Sequence, residues 1–205
     1  MVPMGAKKET ESGSKGFKVV IAEDNPTSRR CLKNQLESLG HDVIGVAKTG
    51  PEVVEMASAL APAFIVMDIA MPGMDGISAA KKITEKKSVP IIIVSGHSSD
   101  ELTAGAVEAG VFAYLVKPIT KKELLPAIKL AFARFNEFKN LKDEMEGLSE
   151  ALETRKLVER AKGILMKRCT VSEDEAFKLL QSYSQKENKK LKDIAEMIIS
   201  ASSII

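Results

Sequence analysis

The stretch Phe64-Ile65-Val66-Met67-Asp68 decides how this chain is read: four apolar residues without a break, closed by a single carboxylate. An unbroken apolar run of this length suits a strand buried on both faces of a parallel sheet, because a strand with one wet face would alternate. Three other runs share the pattern. Val19-Val20-Ile21-Ala22 leads into Glu23-Asp24, Ile91-Ile92-Ile93-Val94 into Ser95, and Tyr114-Leu115-Val116 into Lys117-Pro118. Helix-length segments separate the runs, so strand and helix alternate as in a doubly wound α/β sheet. The loops beyond the strand ends of such a sheet line one crevice. Three carboxylates, a hydroxyl and an ammonium are therefore expected to converge there.

That set of groups suits one chemistry. Crowded carboxylates repel and raise each other's pKa unless a hard divalent cation with oxygen ligands sits among them. Mg²⁺ is the natural choice, since it keeps several waters and engages only one or two carboxylates. Another carboxylate is then left to attack a phosphoryl group. Asp68 stands alone at its strand end, whereas Glu23 and Asp24 come as a pair, so Asp68 is the candidate nucleophile. Lys117 would neutralise the phosphate and Ser95 would donate to one of its oxygens.

Phe17 to about Arg134 resembles the receiver domain of two-component response regulators. The resemblance rests on the acid pair, the run Asp68-Ile69-Ala70-Met71-Pro72-Gly73-Met74-Asp75-Gly76, Ser95 followed by Gly96, and Tyr114-Leu115-Val116-Lys117-Pro118. It implies a flavodoxin-like five-stranded parallel sheet in which Asp68 accepts phosphate from a sensor histidine kinase. It further implies that Glu23, Asp24, Asp68 and the Ala70 backbone carbonyl hold Mg²⁺, that Ser95 and Lys117 bind the phosphoryl oxygens, and that Tyr114 is the switch aromatic. Glutamate as the first of the acid pair is a mild departure, compatible with metal binding through a longer side chain. Haloacid-dehalogenase-type phosphatases also use a nucleophilic aspartate at a strand end but carry a second one two residues on, where this chain has Ala70. Without that general acid, a slowly decaying phosphoryl switch is expected and not an enzyme.

With 205 residues, 44% of them hydrophobic, the chain is long enough for a receiver-sized domain and a smaller second unit. A net charge of +2 confines any nucleic-acid site to a local patch. Cys31 and Cys169 show no metal-ligand spacing and read as reduced, small, buried hydrophobes of a cytoplasmic protein. Residues 1–16 read as a disordered leader. No run reaches the ~18 apolar residues of a membrane span, so a soluble protein without a membrane partner is expected. His41 and His97 lie apart without companion ligands and read as loop-surface residues.

Pro26 and Gly40 bracket a first helix bearing Cys31, Leu32, Leu36 and Leu39 at helical spacing. A second strand is expected over Asp42–Val46 and later helices over Pro51–Leu60, Ile77–Glu85 and Asp100–Ala109. After Thr120 the chain reads as helix throughout. Phe138, Leu141, Met145, Leu148 and Leu152 step by three and four, the spacing of a short coiled coil. Both a homodimer contact, formed on phosphorylation, and a face packed within one chain suit this stripe. Residues 135–147 read as a helical linker after the receiver segment 17–134, and Gly147 weakens the helix enough to allow a hinge.

Residues 148–205 form a second unit. Ser172 with Glu175 is a capping box, so one helix should end near Cys169 and another begin at Ser172. A third, about Lys190 to Ser200, carries Leu191, Ile194, Ala195, Ile198 and Ile199 on one face, completing a small three-helix bundle. The runs Ala161-Lys162-Gly163-Ile164-Leu165-Met166, Ser172-Glu173-Asp174-Glu175-Ala176-Phe177 and Asp193-Ile194-Ala195 resemble an ANTAR domain. Ser184-Gln185 replaces an Ala-Met pair common in that family. The resemblance implies an RNA-binding antitermination module whose ligand is a structured hairpin. Arg155, Lys156, Arg160, Lys162, Lys167 and Arg168, with Lys189 and Lys190 at the third helix, offer base for its phosphates. Tyr183 reads as packed into the bundle, with stacking on a base as the alternative. Two other functions remain open: a phosphorylation-gated protein-interaction module and a DNA-binding transcription factor. The start Ser-Glu-Asp-Glu of the helix after the turn would repel DNA phosphates and opposes the latter.

Overall fold

The computed structural model describes residues 16–202 apart from residue 98. Of the expected leader only Gly16 lies among the described residues. The chain falls into two compact units divided between Phe138 and Lys139.

The first unit alternates β1 (Lys18–Ala22), α1 (Pro26–Ser38), β2 (Asp42–Ala47), α2 (Gly50–Leu60), β3 (Phe64–Asp68), α3 (Gly76–Lys86), β4 (Ile91–Ser95), α4 (Asp100–Glu108) and β5 (Ala113–Val116). The strands form one parallel sheet in the order β2-β1-β3-β4-β5. Alternate residues of the apolar runs feed opposite faces, as strand geometry demands. Val20, Ile65, Met67, Ile91 and Ile93 pack under α2 and α3 residues such as Val53 and Ile83, while Val19, Ile21, Phe64, Val66 and Ile92 pack with Leu36, Leu124 and Ile128. The doubly wound α/β expectation holds.

Three local readings change. β5 is an edge strand, so its residues are only half-buried and Val116 is exposed; among the described residues no strand lies beyond it to cover that side. Cys31 and Cys169 are both exposed free thiols, not buried hydrophobes. In α1 the inward stripe is Leu32 and Leu36, and Cys31 lies off it, its sulfur accepting from Gln35 Nε2 over 3.4 Å. His41 lies in the loop between α1 and β2 but is half-buried and not at the surface. Its ring stacks on Phe17 and meets the edge of Phe64, and its Nδ1 accepts from the Phe17 amide.

All residues from Lys121 to Cys169 form one helix, α5, which runs through Gly147 without a break. The linker expected over residues 135–147 is thus helix. In the second unit α6 (Glu173–Glu187) starts on the expected capping box: Ser172 Oγ accepts from the Glu175 amide, and the Glu175 carboxylate accepts from the Ser172 amide. α6 stops at Asn188 in the left-handed conformation, and α7 (Leu191–Ser202) follows. Val158 and Ala161 of α5, Leu180 of α6 and Ile194 and Ala195 of α7 form the buried centre, flanked by Leu191, Ile198 and Ile199. No helix among the described residues is long and apolar enough to cross a membrane.

Candidate functional site

The parallel sheet brings its strand ends to one edge. Ala22 pairs with Met67, Asp68 with Val94 and Ser95 with Val116, so Glu23, Asp68, Ser95 and Lys117 arrive together. Asp68 is 6% exposed and Glu23 2%, both at the floor of the crevice. Lys117 Nζ bridges them, donating to Asp68 Oδ2 and Glu23 Oε2 over 2.6 Å each. Burial alone would lower the lysine's pKa, but the hydrogen bonds to Asp68 and Glu23 outweigh it and hold the ammonium charged. Burial pushes the Glu23 carboxyl above the usual carboxylate range, with Asp68 adding repulsion and Lys117 opposing both.

Asp24 completes an acidic cluster from the exposed side. Carboxylate oxygens of Glu23, Asp24 and Asp68 lie within 4.8 Å of one another. This all-oxygen donor set fits a hard divalent cation such as Mg²⁺. The loop after β3 shapes the remaining wall. The Ala70 amide donates to Asp68 Oδ1 over 3.3 Å, and Gly76 starts α3 so close behind Asp68 that an added Cβ would lie 2.1 Å from its carbonyl oxygen. Asp75 caps α3 by accepting from the Ile77 and Ser78 amides.

On the other side Ser95 is buried at the end of β4. Its Oγ donates to the His97 carbonyl over 2.7 Å, and the Tyr114 hydroxyl donates to the same carbonyl over 2.7 Å. The Lys117 amide donates to the Ser95 carbonyl over 2.8 Å, which ties the lysine's strand end to that of the serine.

Sequence reasoning missed three contributors. Arg29 Nη1 donates to the carbonyls of both Glu23 and Asp24 over 2.9 Å, fixing the turn that carries the acid pair. Its signal was only its position one turn into α1. The His97 carbonyl has no side-chain signature at all. Gln35 donates to the Ile119 carbonyl over 2.9 Å across a cleft of about 420 Å³ beside Lys117.

In the second unit the basic residues do not act alike. Arg155, Lys156, Arg160, Lys167, Arg168, Lys189 and Lys190 are exposed. Lys162 is not: its side chain is 10% exposed, and Nζ is held by Glu159 over 2.9 Å and Glu173 over 2.6 Å. It ties α5 to the first turn of α6, which leaves it poorly placed for a nucleic-acid phosphate. Tyr183 also departs from expectation, its ring lying half outside the bundle.

The family model of the response regulator receiver domain matches residues 19–129 and that of the ANTAR domain residues 146–199. This chain belongs to the response regulators with an ANTAR domain. One such relative, the transcriptional regulatory protein PdtaR of Mycobacterium tuberculosis, is 42% identical over 182 residues, 89% of each chain. Among solved structures, the signal receiver domain of a modulated diguanylate cyclase from Desulfovibrio desulfuricans G20 is 32% identical with a TM-score of 0.55, covering 59% of this response regulator and 97% of that chain. A CheX–CheY–BeF₃–Mg complex from Borrelia burgdorferi is 27% identical with a TM-score of 0.55, covering 57% and 89%. Receiver and ANTAR domains together are the architecture of a regulatory protein.

Proposed function

We propose that this response regulator is phosphorylated on Asp68 by a histidine kinase in a Mg²⁺-dependent step, and that phosphorylation controls RNA binding and transcription antitermination. The observation that carries the reading is the bridge from Lys117 to both Asp68 and Glu23 inside one buried acidic cluster. A lysine held at the candidate nucleophile is placed to meet the incoming phosphoryl oxygens. Glu23, Asp24 and Asp68, with the Ala70 carbonyl, would hold Mg²⁺, which when bound neutralises the acid cluster so that an anionic phosphodonor can approach.

An Asp68 carboxylate oxygen forms the new bond to phosphorus, the phosphorus–nitrogen bond of the kinase phosphohistidine breaks, and the imidazole leaves with its electron pair. Phosphate adds about −1.5 to −2 charge where Lys117 and Ser95 can each donate to it. For Ser95 to do so its hydroxyl must leave the His97 carbonyl, which changes the support of Tyr114 on the surface by β4 and β5. A homodimer is the proposed output form. Phe138, Leu141, Met145, Leu148 and Leu152 are each more than half exposed, which favours the intermolecular reading of the stripe. A cytoplasmic setting suits the two free thiols.

The ANTAR resemblance and the exposed base on α5 support a structured RNA hairpin as the ligand. Hairpin binding is measured on the full chain before and after phosphorylation by a small phosphodonor, with sedimentation in parallel. Tighter binding of loop-specific hairpins by the phosphorylated dimer is expected. Equal absence of RNA binding in both forms would favour the protein-interaction function.

A further inference from the structure

An open cleft of about 460 Å³ lies between the helices of the second unit, lined by Leu165 of α5, Tyr183 and Glu187 of α6, and Met197, Ile198 and Ala201 of α7. Its volume is within the range of ligand sites. Tyr183 is 51% exposed and Met197 53%, whereas a tyrosine that only filled the bundle would be covered. One cation touches a lining residue, and a second meets the chain one residue along from the lining. Lys189 Nζ lies 3.9 Å from Met197 Sδ, and Arg168 Nη2 donates to the Ser202 carbonyl over 3.3 Å, next to Ala201.

We propose that this cleft is the base-reading pocket of the ANTAR domain: an unpaired purine or pyrimidine from an RNA loop stacks on Tyr183 over the apolar floor, and Lys189 and Arg168 take the flanking phosphates. The proposal rests on the RNA-binding function proposed above and deepens it. Phosphate contacts by exposed base cannot tell one sequence from another, so loop discrimination needs a surface that meets base faces and edges. Such surfaces are built from aromatic rings beside cations, and single-stranded loops are where RNA exposes its bases. The cleft supplies the ring, and Lys189 beside Met197 and Arg168 beside Ser202 supply charge opposite to that of RNA. Glu187, the one carboxylate in the lining, offers an acceptor for the amino group of a base and repels a phosphate from the floor.

The test uses the full-length phosphorylated protein and a hairpin library with randomised loops. The tightest hairpin recovered is then synthesised with each loop nucleotide in turn made abasic. Tyr183→Ala is expected to weaken binding of the intact hairpin by roughly 5- to 150-fold, the range of base–aromatic stacking. It should cause no further loss with the one abasic hairpin that lacks the stacked base, and it should leave the salt slope unchanged. Tyr183→Phe should retain the affinity, and Lys189→Ala should flatten the salt slope. A thermal melt of each variant checks the fold, and ultraviolet crosslinking of a loop with 5-bromouracil should map to Tyr183. Loop-selective binding that Tyr183→Ala does not alter would overturn the pocket while leaving the RNA function standing. A library that yields no binder would end both. Altered self-association of RNA-free Tyr183→Ala would assign the cleft to protein contact and also overturn the proposal.

Discussion

The hydroxyls of Ser95 and Tyr114 donate to one acceptor, the carbonyl oxygen of His97, each over 2.7 Å. The His97 amide in turn donates to Ser95 Oγ over 3.2 Å, so the loop after β4 is pinned by two side chains on neighbouring strands. Removing one of them should loosen the loop without touching Asp68. A hydrogen bond is worth about 0.5–1.5 kcal/mol net, so Tyr114→Phe should speed amide exchange around His97 by roughly two- to tenfold. Exchange measured by mass spectrometry reads this, and phosphorylation of Asp68 in the same variant should be unchanged.

Asp68 is the single carboxylate proposed to gain a phosphoryl group. With a small phosphodonor and Mg²⁺, the intact mass of the protein should rise by one phosphoryl group, and Asp68→Asn should show no increase. A chelator added before the donor should abolish the gain in the unaltered chain.

Lys117 offsets the repulsion between Asp68 and Glu23, so Lys117→Ala leaves two buried carboxylates facing each other. Breaking a fully buried pair costs about 3–5 kcal/mol. The Lys117 side chain is 26% exposed, and solvent screening lowers the expected loss to about 1–3 kcal/mol. Mg²⁺ should raise the melting temperature of Lys117→Ala more than that of the unaltered protein, because the cation then meets acids with no competing ammonium. Melts with and without millimolar Mg²⁺ compare the two.

Lys162 and its exposed neighbours should separate cleanly. Lys162→Met should lower the melting temperature of the second unit and leave the salt slope of RNA binding unaltered. Arg160→Ala and Lys167→Ala should each reduce that slope by about 0.7–0.9 and leave stability nearly unchanged. The hydrogen bond from Lys162 holds the Glu173 carboxyl below its ordinary 4.5, so this contribution is present above pH 4.5 and is lost as pH falls through the lowered value. In Lys162→Met that part of the acid sensitivity should vanish.

His41 supplies a second pH response with its own window. Burial holds its imidazole below the ordinary 6.5, and its Nε2 is buried without a hydrogen-bond partner among the described residues. Both folded and unfolded chains are neutral there at high pH. Below pH 6.5 the unfolded chain takes up the proton first, so stability should fall on acidification from pH 6.5 to the lowered folded value. Between pH 7.5 and 5.5 the denaturant midpoint of the unaltered chain should fall further than that of His41→Phe, since the variant lacks this loss.

Local chemistry along the chain determined most of the architecture. Unbroken apolar runs announced strands covered on both faces, and the polar residue after each run announced a shared crevice, since parallel strands must end at the same edge. The Ser172–Glu175 capping box marked a helix start because all its partners lie within one turn. Burial and pairing across the fold were different. Tyr114-Leu115-Val116 reads like any inner strand, yet only the strand order makes β5 an edge. His41 looked like a surface residue until Phe17 and Phe64 closed on it, and Lys162 looked like free base until α6 brought Glu173 within 2.6 Å. Tyr183 carries no mark of a half-open ring. Periodicity and capping depend on neighbours a few residues away and can be read in sequence, whereas exposure and charge state depend on side chains that only the folded chain brings near.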